Sequence, residues 1–220
     1  MKFSKLLLIL GFIISIAVNA QGEFKGKIIY KVDFEIEHPN ISEEMLYEEF
    51  GTGAIFLYDN GKYYQEYFDG ATEFDIMDST SGIYYNKKKN NDTIFVFDPS
   101  FRTDESLINI EEGSSNEIVL GYQCDFFKIN VNIDSINQNY YLKFFFTKEI
   151  PIDGSRFENI KKGFANITYG KMNAIPIKFE IGDEYFKMIA TASEIDESYK
   201  FDIDQIIQEK LKSYPKKNLN

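Results

Sequence analysis

One cysteine in 220 residues leaves the chain no partner for an internal disulfide, so its stability has to come from packing. The single histidine, His38, stands before Pro39 in a polar stretch and reads as a surface residue. That removes a zinc site built on histidines, or a Ser-His-Asp triad, from consideration. Cys124 lacks an imidazole to activate it and reads as a small buried hydrophobe. Basic side chains are in the minority, 24 against 35 acidic, for a formal charge of −11. Nucleic acid is therefore excluded as a partner, because phosphate binding needs clustered Lys and Arg. Tryptophan is absent, and what fills its place is 21 Phe and 15 Tyr. With the β-branched residues, they suit a pleated, half-buried surface.

Motifs that announce chemistry are missing too. Glu43-Glu44, Glu48-Glu49 and Glu111-Glu112 come without an Asp-x-Asp-x-Asp-Gly loop or a sugar cleft and read as solvated faces. Gly51-Thr52-Gly53 lacks the rest of a phosphate loop and reads as a turn. The expectation is a protein that is not an enzyme and holds no metal or cofactor.

The one long apolar run lies at the start. Lys2 and Lys5 precede thirteen apolar residues at 6–18, and Val18-Asn19-Ala20 ends in small side chains. This is the pattern of a secretory signal peptide cleaved after Ala20. The run is shorter than the roughly 20 residues a membrane span needs, and Gln21 follows the cut with no cysteine nearby for a lipid anchor. The expected product is periplasmic or secreted. Without Lys2 and Lys5 it has 22 basic against 35 acidic side chains, a balance of −13. Residues 21–220 fit a single β-rich domain with a sizeable core.

Along that domain a period of two prevails. Ile28, Tyr30, Val32, Phe34 and Ile36 alternate with Lys27, Lys31, Asp33 and Glu35, which predicts a strand with one dry face. Ser42 followed by Glu43 and Glu44 predicts a short capped helix. Five short strands come next at 54–58, 62–68, 72–77, 83–86 and 93–97, with Asn60-Gly61 as a hairpin turn. Residues 98–115 are polar and read as a connecting loop. Beyond them lie longer strands whose dry faces carry Phe127, Ile129 and Val131, then Leu142, Phe144 and Phe146, then Ile177 and Phe179. A last strand runs through Phe186, Met188, Ala190 and Ala192. Residues 153–172 form a long segment with scattered glycines. Ile203, Ile206, Ile207 and Leu211 predict a terminal amphipathic helix over 202–214. About ten antiparallel strands make a curved half-barrel whose dry face needs cover, and two helical segments are too few to fill it.

The segment Ile118-Val119-Leu120-Gly121-Tyr122-Gln123-Cys124-Asp125 is similar to the "ILGYKC" signature of a secreted family common in Bacteroidetes, the GLPGLI-like proteins. The order of the segments beyond it also resembles that family: a Tyr-rich strand, Thr147-Lys148-Glu149-Ile150-Pro151-Ile152, an insert, Ala174-Ile175-Pro176-Ile177-Lys178, and a Phe201-Asp202-Ile203 ending. Gly26-Lys27-Ile28-Ile29-Tyr30 and Asn60-Gly61-Lys62-Tyr63-Tyr64 extend the likeness over nearly the whole domain. The chain departs from the pattern in having Ala174-Ile175-Pro176 for the usual Gly-x-Pro, and a longer insert. The resemblance implies a fold related to the lipoprotein carriers LolA and LolB, an unclosed half-barrel with no catalytic residues to carry over. Asp78-Ser79-Thr80, Asp92-Thr93-Ile94 and Asp134-Ser135-Ile136 look like the acceptor for O-glycosylation of exported Bacteroidetes proteins, at Ser79, Thr93 and Ser135.

The leading expectation is a non-enzymatic envelope protein binding an acyl chain or other apolar ligand in the concave face, lined by the eight dry residues from Phe127 to Phe179. The alternative is an adaptor docking another envelope protein through Tyr64, Tyr67, Tyr84, Tyr85 and Tyr141.

Overall fold

The computed structural model describes residues 22–99, 101 and 103–219. The signal peptide expected at 1–20 therefore lies outside the described residues. Strand β1 (Gly26–Ile36) leads through a capped helix, α1 (Glu43–Phe50), into a meander of β2 (Gly53–Asp59), β3 (Lys62–Phe68), β4 (Thr72–Asp78), β5 (Ile83–Lys88) and β6 (Ile94–Phe97). The chain then crosses to the far side and returns through β7 (Glu105–Val119), β8 (Tyr122–Ile133), β9 (Gln138–Pro151), β10 (Ala174–Gly182) and β11 (Phe186–Asp196). Helix α2 (Ala165–Met172) lies in the connection before β10, and α3 (Ile203–Ser213) with β12 (Lys216–Leu219) ends the chain. All twelve strands form one open, curved sheet in the order β12-β6-β5-β4-β3-β2-β1-β11-β10-β9-β8-β7. Two meanders thus meet along a single seam, β1 against β11, with Val32 opposite Ala190 and Phe34 opposite Met188. Every pairing is antiparallel except β12 with β6.

Local chemistry accounts for the elements. Ser42 Oγ accepts from the Met45 N–H at 3.2 Å, and Glu43 and Glu44 occupy the positive first turn of α1. Asn60 and Gly61 both have positive φ, 50° and 78°, as a two-residue hairpin of the primed type requires. Leu120 and Gly121 do the same at 51° and 88° between β7 and β8, which accounts for the glycine of the signature-like segment but not for the leucine.

Three expectations are corrected. Residues 98–115 are not simply a loop, because 105–119 form the longest strand of the sheet. The strand sits at an edge with both faces largely wet, so no apolar alternation marks it, and backbone pairing to β8 holds it. The count rises to twelve with β12, too short and polar to show a pattern. The insert 153–172 is itself helical, with 3-10 turns at Gly154–Phe157 and Lys162–Phe164 before α2, so cover for the dry face is larger than two helices provide.

The core has two sides. On the concave face Ile28, Tyr30, Phe56, Tyr58 and Met77 pack with Phe157, Ile160 and Ala165 of the insert. On the convex face Leu57, Tyr64, Phe74, Ile76, Ile94 and Val96 pack beneath Ile203 and Ile207 of α3. Period-two alternation produces both clusters from the same strands: Phe56 and Tyr58 of β2 point one way, Leu57 the other. Asp202 caps α3 by accepting from the Gln205 N–H at 3.0 Å.

Candidate functional site

The insert and α2 cover one end of the concave face and α1 covers another, leaving a partly open hollow of about 210 Å³ over the seam. Its floor comes from neighbouring strands on both sides of that seam. Tyr30 and Val32 of β1 stand beside Gly53 and Ala54 of β2, with Phe179 and Ile181 of β10 and Met188 and Ala190 of β11 completing the apolar wall. The hollow exists because small residues face large ones across the ladders. Ala54 lies opposite Tyr30, and Ala190 lies opposite both Val32 and Phe179. Gly53 is required as well, since a Cβ there would come within 2.3 Å of the Tyr30 carbonyl oxygen.

Rigid aromatic contacts frame the space. Tyr30 and Phe179 meet edge to face at 5.8 Å, and the Tyr30 hydroxyl donates to the Pro176 carbonyl at 2.6 Å. Burial holds that phenol far above its ordinary pKa, so it remains a neutral donor. Phe50 of α1 closes the top, its ring tilted against Phe34 and Phe186 at 5.9 and 5.6 Å.

One end is polar. Gln65, Tyr67, Thr72, Lys88 and Glu49 border it. The Lys88 ammonium donates to Thr72 Oγ1 at 3.0 Å and lies 3.9 Å from Glu49. Behind them Asp75 is only 6% exposed. Its carboxylate accepts from the Tyr67 hydroxyl and from Asn86 Nδ2, each at 2.7 Å. Desolvation raises its pKa against the opposing pull of hydrogen bonds from Asn86, Tyr84 and Tyr67. The arrangement offers a dry slot with a hydrogen-bonding rim. It is fit for holding an apolar group and contains no nucleophile paired with a base.

A larger depression of about 730 Å³ beside β8 and β9 is open to solvent and bordered by Asn109, Asn130, Asn137, Gln138 and Asn139, so it offers no dry enclosure. No group of three or more His, Cys, Asp or Glu side chains suited to a metal occurs among the described residues. Cys124 is buried, with its Sγ donating to the Tyr122 carbonyl at 3.5 Å and its pKa pushed up by burial. His38 is half-buried against the Tyr185 ring.

The eight dry residues named from the sequence share the concave face, but they divide between packing and pocket. Phe127, Ile129, Val131 and Phe146 are buried with Met172 and Ala174, and Leu142 and Phe144 lean on the same cluster together with Phe164 and Ile167 of the insert. Ile177 lies in the main core. Phe179 alone among the eight borders the hollow. Tyr30, Val32, Ala54 and Ala190 went unrecognised as wall residues, although alanines at inward positions of aromatic-rich strands were the available signal. Nothing in the sequence marked Asp75.

The five tyrosines considered for docking do not share one face. Tyr67 and Tyr84 point to the concave side, whereas Tyr64 and Tyr85 share the convex side, with Tyr64 just 3% exposed near α3. Of the three glycosylation candidates, Ser79 and Thr93 are half-buried at turns. Ser135 is exposed and bonds to the Asp104 carboxylate.

No family model and no curated protein matches the chain. Among solved structures it is similar to the crystal structure of the Mycobacterium tuberculosis lipoprotein LppX, at 9% identity and a TM-score of 0.34, over 81% of this chain and 90% of that one. None of the helices among the described residues is long and apolar enough to cross a membrane.

Proposed function

We propose that the chain is a non-enzymatic exported envelope protein that holds a small apolar group in the hollow above the β1–β11 seam. The observation that carries this reading is the largely apolar wall of Tyr30, Val32, Phe179, Ile181, Met188 and Ala190 with polar groups gathered at one end. Size narrows the ligand. A volume of about 210 Å³ exceeds the ~150 Å³ apolar cavity that admits benzene but falls below the ~300 Å³ at which drug-sized sites begin. A short acyl chain or a single ring fits, and a whole lipid does not. Within this reading the likeness of residues 118–125 to the GLPGLI-like signature, and through it to the LolA and LolB carriers, is consistent with an envelope address.

The test is a short-chain fluorescent acyl probe offered to the protein lacking residues 1–20. Saturable uptake is expected, and Ala190→Leu, which fills the hollow from its floor, should abolish it without changing the circular dichroism. Absence of uptake by the unaltered protein, together with a mass free of retained small molecules after gentle purification, would defeat the proposal. Amino-terminal sequencing of the exported protein should begin at Gln21.

A further inference from the structure

We infer that the outer edge of β7 docks an extended segment of another protein that carries basic residues, added as a further strand of the sheet. Strand β7 is fifteen residues long and hydrogen-bonds only to β8. Among the described residues no backbone group pairs with its other edge. Long free edges are normally blunted by proline, by lysine, by bulges or by brevity, because an unpaired row of N–H and C=O groups templates another strand; β7 is irregular against β8 at 107/109 and 114/118 and keeps a regular run between them from Asn109 to Ser114. Residues 105–119 contain neither proline nor lysine. They also leave apolar side chains in solvent, with Ile108 52% and Ile118 63% exposed, and Leu107 and Ile110 exposed beside them.

Charge selects the occupant. The strand carries Glu105, Glu111, Glu112 and Glu117 and no basic residue. Three of these are engaged within the sheet: Glu105 accepts from the Tyr140 hydroxyl at 2.9 Å, Glu111 pairs with Lys128 at 3.3 Å and Glu117 with Lys178 at 2.9 Å. Glu112, exposed at the midpoint of the strand, has no ion pair or hydrogen bond among the described residues. A second copy of the chain docking antiparallel about that midpoint would set Glu112 against Glu112, and like charges directly opposite destabilise a ladder. An incoming Lys or Arg at the same place is attracted, and the net charge of −11 draws it from a distance. Backbone bonds supply the affinity in this mode and alternate side chains the specificity.

The probe is a blocked synthetic peptide of about ten residues alternating Val or Thr with Lys, beside the same peptide N-methylated along its central bonds, which keeps the charge and removes the backbone donors. With the protein lacking residues 1–20, the unmethylated peptide should slow amide exchange within 105–119. It should bind about tenfold more tightly than its methylated twin, and about tenfold more tightly than it binds the Glu112→Lys variant. Equal binding of the two peptides, slowed exchange confined to other strands, or no binding would overturn the proposal. So would a concentration-dependent dimer that protects 105–119 without peptide, since a second copy would then be the occupant.

Discussion

Asp75 concentrates the residue-scale physics of the pocket. A carboxyl group with almost no solvent contact has lost its hydration, and hydrogen bonds from Tyr67, Asn86 and Tyr84 restore part of that loss. Burial is the larger effect, so the folded state holds the Asp75 proton to a higher pH than the ordinary value of 3.8. Between those two values the folded chain binds more protons than the unfolded one, and stability therefore falls as pH rises through that window. Asp75→Asn cannot titrate. Thermal melts of both proteins at about pH 7 and about pH 4 should show the wild type gaining on the variant at the acid end. A difference in Tm that stays constant or moves the other way would mean that Asp75 ionises in the fold as it does in water. Gly51 gives a second expectation at this scale. Its φ of 82° and ψ of 178° lie in a region that only glycine occupies comfortably, and a Cβ would sit 2.2 Å from the Phe68 carbonyl oxygen. Gly51→Ala should lower stability by at least ~1–3 kcal/mol in a denaturant titration, and because this residue ends α1, it should weaken acyl-probe uptake as well.

Among the elements, α3 is the one whose attachment is simplest to break. Ile203 and Ile207, one turn apart, are its buried residues, and they close the convex cluster over Leu57, Phe74 and Ile76. Ile207→Ala should cost ~2–5 kcal/mol by equilibrium unfolding. Uptake by the remaining folded protein should be unchanged, because the pocket lies on the opposite face. The Lys62–Asp204 pair at 2.6 Å, which also joins α3 to the sheet, is solvent-screened, and its loss should fall below ~1 kcal/mol. The helix and the meander from β2 to β6 were legible in the sequence, since amphipathic spacing and turn residues act over a few positions. Strand β7 was not legible. Its pairing comes from backbone groups that every residue possesses, and its side chains face water on both sides. The pocket was legible only in part: periodicity told which side of β8, β9 and β10 is dry, but not that the insert packs over Phe127, Ile129 and Val131. Where hollow replaces packing depends on Ala54 and Ala190 flanking Tyr30 and Val32 of β1 from strands that stand far apart in the chain.

At the scale of the molecule, the seam between β1 and β11 decides whether there is one cooperative unit or two. Two meanders share no other long ladder, and the pocket straddles their junction. If the seam is integral to both, amides of β1 and β11 should exchange with solvent only through global unfolding, with the protection of the most stable strands. Separate exchange of the two meanders, each with its own opening free energy, would show instead that they fold as independent halves.

That seam also fixes an order of events. Ser193 bonds through its hydroxyl to the Ile29 carbonyl, 164 positions earlier, and α3 and β12 settle on the first meander only after the second has been made. A chain delivered amino end first, from a ribosome or through a translocation channel, spends nearly its whole passage with its first strand lacking one neighbour. The loop that must close before this contact forms is long, which makes the step slow. Such a topology delays completion of the pocket until β11, which supplies Met188 and Ala190, has emerged.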